Sequence, residues 1–97
     1  MPFVKDTIEG RYERPAVQVL TAAKEVITNM GTLTGDNTVL KTAEGKVNTR
    51  SVWVRVEEID PKVTRVLVQC RTAGGGADLE TASEIDKRIA LWLASHP

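Results

Sequence analysis

Hydrophobic and polar residues alternate through Ser51–Arg71, SVWVRVEEIDPKVTRVLVQCR, and Asp60-Pro61-Lys62 interrupts the alternation in the middle. This predicts an antiparallel hairpin with one buried face. Val52, Val54 and Val56 form one row, and Val66, Val68 and Cys70 another. Side chains along a strand repeat with period two, so both rows must point to one side for the sheet to bury a single face. Paired residues then have numbers of even sum. A two-residue loop at Pro61-Lys62 gives an odd sum and sets Val54 against Gln69, so it is rejected. A three-residue loop pairs Val56 with Val66, Val54 with Val68 and Val52 with Cys70, and puts Glu57 opposite Arg65. A five-residue loop keeps the parity and is the alternative.

The period changes elsewhere. Residues 15–30, PAVQVLTAAKEVITNM, place Ala16, Leu20, Ala23, Ile27 and Met30 at alternating steps of four and three, widened by Val19 and Val26. That is a helical stripe. Pro15 suits its start, and Gly31 suits a left-handed residue after its end. A second stripe, Ala82, Ile85, Ile89, Trp92 and Leu93, predicts a helix to Ser95 with Asp78 as N-cap. Glu80 and Glu84 suit the positive end of its dipole. Thr7–Glu13 reads as a first strand with Ile8 inward, and Gly10 marks an edge or bulge. Thr32–Asn37 reads as a connection, with Gly35-Asp36 as turn chemistry. Thr38–Val47 reads as a strand with a bulge at Gly45, followed by a turn at Asn48-Thr49-Arg50. Ala73–Ala77, which holds three consecutive glycines, reads as a loop.

The predicted order is β-α-β-β-β-α, an α+β two-layer sandwich. Four mainly antiparallel strands carry two helices on one face. The other face is left bare, with Trp53, Arg55, Glu57, Arg65, Leu67, Gln69 and Arg71 on it. The chain has 97 residues, 41% of them hydrophobic and 27% charged, which is enough for one domain over 1–97 and too apolar for disorder. Thirteen basic residues cancel thirteen acidic ones. This argues against nucleic acid, whose binders carry a basic excess. No stretch is long and apolar enough to span a membrane. Met1-Pro2-Phe3-Val4 is too short for a signal peptide's apolar region.

Catalytic chemistry is not evident. Cys70, the single cysteine, alternates with Val66 and Val68 and reads as a buried hydrophobe. His96 is penultimate and has no nucleophile beside it. Glu57 and Glu58 point to opposite sheet faces and cannot act together. The GGGAD run lacks the Lys and Ser/Thr of a phosphate loop, and Asp78, Glu80 and Glu84 would repel an anion. No metal-ligand spacing is present, and no metal or cofactor is expected.

Three stretches, VLTAAKEVITNMG, SVWVRVEEIDPKVTRVLVQCR and GGGADLETASEIDKRIALWL, cover most of residues 7–94 in outline. Together they resemble small bacterial envelope domains of unknown function, often of lipoprotein type. The resemblance implies an envelope or periplasmic setting and carries over no functional residues. The chain departs from it in having no lipidation cysteine near its N-terminus, so that setting requires a leader cut away before Met1. The expected function is a non-enzymatic binding or assembly module. It would act through Trp53, Arg55, Arg65, Leu67 and Arg71, by self-association or on another protein. The alternative is a small-ligand carrier or enzyme with a pocket between helices and sheet. A thinner third possibility is a subunit of a larger envelope complex.

Overall fold

A computed structural model of the chain describes residues 7–96, so the Met1–Val4 run lies outside the described residues. The elements are β1 (Thr7–Tyr12), α1 (Ala16–Met30), β2 (Thr32–Asn37), β3 (Thr42–Val47), β4 (Arg50–Asp60), β5 (Val63–Arg71) and α2 (Leu79–Ser95). All strands pair antiparallel in one sheet of order β1-β5-β4-β3-β2. The α+β class stands, but the sheet has five strands rather than four.

The additional strand is β2, the segment expected to be a connection. TLTGDN offers one partly buried apolar residue, Leu33, and so shows no alternation. Its membership rests on main-chain pairing with β3, which a hydrophobic pattern does not encode. The strand expected from residue 38 begins instead at Thr42. Residues 38–41 form the turn, where Lys41 is left-handed (φ 55°) and the Leu40 N–H donates to Asn37 Oδ1 at 3.0 Å. Val39 and Leu40 therefore stand at an exposed hairpin tip, 88% and 65% accessible.

The β4–β5 register matches the parity argument: Val56 faces Val66, Val54 faces Val68, Val52 faces Cys70 and Glu57 faces Arg65. The route to it differs. Asp60 pairs with Val63 across the two-residue turn Pro61-Lys62, and an irregularity between Glu58 and Asp60 restores the even sum. Asp60 fixes the turn by accepting from the Lys62 N–H at 2.8 Å. The next turn is also shorter than expected. It comprises Asn48 and Thr49, Asn48 is left-handed (φ 58°), and Arg50 already belongs to β4.

Both helices lie on the valine side. Val52, Val54, Val56, Val66, Val68 and Cys70 are 0–3% exposed, beneath Val19, Leu20 and Ile27 of α1 and Ile85 and Ile89 of α2. Burying each large aliphatic side chain contributes roughly 1.5–3 kcal/mol. Ala22 and Ala23 are fully buried and let α1 approach its neighbours closely. Asp78 caps α2 as expected, accepting from the Thr81 N–H at 3.0 Å. Pro15 sits one position earlier than expected, at the N-cap of α1.

Two glycine expectations need correction. Gly31 is extended (φ −171°), not left-handed. A side chain there would collide with the Lys46 carbonyl, so glycine permits the close passage of α1's end over β3. The bulge expected at Gly45 lies on the opposing strand: Gly45 pairs regularly with β4, and the shift falls in β2 between its partner Leu33 and Gly35. A Cβ at Gly45 would strike Ile27 and the Thr32 carbonyl.

Candidate functional site: the open sheet face

Three rows of side chains cross the face opposite the helices. Arg11, Arg65 and Glu57 form the first; Glu9, Leu67, Arg55 and Thr42 the second; Thr7, Gln69, Trp53 and Glu44 the third. Arg71, Ser51 and Lys46 begin a fourth. All five expected contact residues, Trp53, Arg55, Arg65, Leu67 and Arg71, thus share one face by register. Trp53 and Leu67 are diagonal neighbours near its centre, both partly exposed. Each lies between fully buried residues of its own strand, so the packing that buries the valines also holds these two outward.

Gln69 departs from expectation. It occupies the open face but is 1% exposed, flanked by Thr7 and Trp53. Burial of a polar side chain requires hydrogen bonding, and among the described residues no buried side-chain polar atom is left without a partner.

Charge on this face is interleaved. Arg65 donates to Glu57 through Nε at 2.8 Å and through Nη2. It also lies 3.9 Å from Glu9, and Arg55 lies 3.5 Å from Glu57. The hydrogen bond to Glu57, then its charge, raise the Arg65 pKa above the ordinary arginine value; Glu9 adds to this against desolvation. Arg71 donates to the Gly75 carbonyl at 3.0 Å. This places it at the face's border with the glycine loop. Glu57 is therefore shared between two arginines, which holds their guanidinium groups in place. Fixed guanidinium groups lose less freedom when a partner arrives.

The face also carries residues that single-strand reasoning missed: Glu9 and Arg11 of β1, and Thr42, Glu44 and Lys46 of β3. Their signal is register between distant strands, which one sequence does not display. Two surface hollows meet at Glu44. One, of about 310 Å³, runs along Gly35, Asp36, Asn37, Leu40 and Thr42. The other, about 150 Å³, has Trp53 and Thr34 in its wall.

The remaining chemistry-bearing groups are occupied structurally. Tyr12 donates to Asp86 Oδ1 at 2.7 Å and to the Asp86 carbonyl at 3.1 Å, tying β1 to α2. Burial, and then Asp86, push its pKa upward. Gly10 makes room for that carboxylate, which a Cβ would strike. Burial, followed by the Asp78 charge, pushes the Cys70 thiol up to about 11, so it is neutral at physiological pH. Asp78 is held below the usual carboxylate range by the Thr81 N–H first, then the Thr81 hydroxyl and Arg50. The glycine run folds back on itself: the Gly75 N–H donates to Thr72, and the Thr72 N–H to Gly76. His96 stacks on Trp92 with centroids 3.8 Å apart, and its carbonyl accepts from Arg14 and Gln18. Among the described residues, no three His, Cys, Asp or Glu side chains gather as a metal would require. No helix among them is long and apolar enough to cross a membrane.

Comparison with family models, curated proteins and solved structures finds no match for this chain.

Proposed function

We propose that this chain is a non-enzymatic binding or assembly module that engages its partner through the open sheet face. One observation carries the reading: Trp53 and Leu67 lie partly exposed near the centre of a sheet face that neither helix covers, with Arg55 beside them and Arg65 and Arg71 further out. Tryptophan and arginine dominate binding hot spots, and a desolvated centre with a charged rim is the usual anatomy of an interface. The resemblance to small envelope domains belongs to the same proposal and supplies a setting but no chemistry. A pocket between helices and sheet has less in its favour, because aliphatic side chains 0–4% exposed fill that layer.

Carbene footprinting tests the reading. The dilute chain is compared with the chain in clarified extract of the cells that make it, and with the chain at high concentration. Protection is expected at Trp53 and Leu67 in at least one of the latter two. Protection confined to the helix surface, at Leu91 and Trp92, or protection nowhere, would overturn it.

A further inference from the structure

Two charges on the open face have no hydrogen bond or ion pair among the described residues: Arg11 on β1 and Glu44 on β3. Both are exposed. Arg11 is directly opposite Arg65, whose guanidinium already engages Glu57 and Glu9. The Arg65 charge is thus already countered, whereas Arg11 has no carboxylate of its own among the described residues. Glu44 lies between Trp53 and the bulged edge strand, where the two hollows meet.

Their placement is self-complementary. Arg11 and Glu44 are three strand spacings apart across the sheet, about 14 Å at ~4.8 Å each. Along the strands they differ by two rows, again about 14 Å at ~3.4 Å per residue. The line joining them runs diagonally, and its midpoint falls between Leu67 and Arg55, beside Trp53. A two-fold axis lying in the face, through that midpoint and across that line, exchanges Arg11 with Glu44. It crosses the strands of the two copies at about 90°, one of the two standard ways in which sheets pack.

We infer that the occupant of this face is a second copy of the chain, laid crosswise so that Arg11 of each copy meets Glu44 of the other. This deepens the open-face reading and rests on it. Leu67 lies at the centre of the contact, with Trp53 one row away. Near the axis Arg55 meets its own copy, each guanidinium accompanied by Glu57. With the strands crossed, the overlap is bounded by the sheet width in both directions, about 19 Å by 19 Å, which is below the standard size of specific interfaces, so the dimer dissociates on dilution.

Sedimentation equilibrium of Arg11→Glu, Glu44→Arg, the double reversal and Trp53→Ala, each checked for folding by its melting curve, decides the matter. Each single reversal sets like charges together at both symmetric contacts and should weaken dimerisation by roughly tenfold or more. The double reversal should restore it. Arg11→Glu mixed with Glu44→Arg should form a heterodimer, because both contacts are then complementary. A wild-type chain that stays monomeric at high concentration overturns the second copy as occupant; footprinting in extract then decides the broader reading. A dimer abolished by Trp53→Ala but indifferent to both reversals overturns the crosswise pairing and leaves the open-face reading standing. A dimer indifferent to all three substitutions overturns both.

Discussion

The covered face of the sheet is built from valines, one cysteine and close-packed glycines, and the open face from arginines, glutamates and a tryptophan. The same strands supply both. One step along β4, from Val54 to Trp53 or Arg55, passes from a side chain that holds the fold together to one that faces outward. Substitutions one residue apart should therefore differ in kind as well as in size.

The largest contrast should come from truncating one large residue on each side. Ile85→Ala removes a fully buried side chain between α2 and the sheet, and should cost about 2–5 kcal/mol in urea unfolding. Trp53→Ala removes a bigger side chain but should cost clearly less, its principal loss being association. Equal costs would mean that Trp53 serves the core. A sharper version uses glycines on adjacent strands. Gly45→Ala drives a methyl group into Ile27 and the Thr32 backbone, and should destabilise by about 1–3 kcal/mol. Gly35→Ala, on the open side, meets only Glu44 Oε2 at 3.9 Å and should stay within about 0.5 kcal/mol of wild type.

The last contrast appears only at alkaline pH. The Cys70 thiol titrates near 11 when folded and near 8.5 when unfolded. A raised folded pKa means that the unfolded chain releases this proton first. The contribution is thus complete below about pH 8.5 and declines as pH rises toward 11. Urea midpoints between pH 8 and 10.5 should fall more steeply for wild type than for Cys70→Ala. Identical slopes would show that the thiol does not feel its burial.

Legibility follows the same division. Val52, Val54, Val56, Val66 and Val68 announce the central hairpin because a half-buried strand must alternate. The helices announce themselves because each buries a single stripe. β2 is silent: an edge strand with one apolar contact is held by main-chain hydrogen bonds that any sequence can make. The irregularity between Glu58 and Asp60 hid the two-residue turn, because an extra residue in one strand changes the parity of every count across it. Gly31 and Gly45 were recognisable as special, but the reason was a neighbour's approach rather than their own torsions. At the open face, Trp53, Arg55, Arg65, Leu67 and Arg71 were readable from one hairpin. Arg11 and Glu44 were not, since their relation exists only once β1 has paired with β5 and β3 with β4.

That first pairing has a consequence during synthesis. Among the described residues β1 has a single strand neighbour, β5, and it packs against α2, which follows β5 in the chain. At typical elongation rates the roughly fifty residues between Tyr12 and Val63 take on the order of 3–10 s to appear. Throughout that interval β1 has no mate. Only after β5 and α2 have emerged from the ribosome can β1 be fastened between its partner strand and its helix.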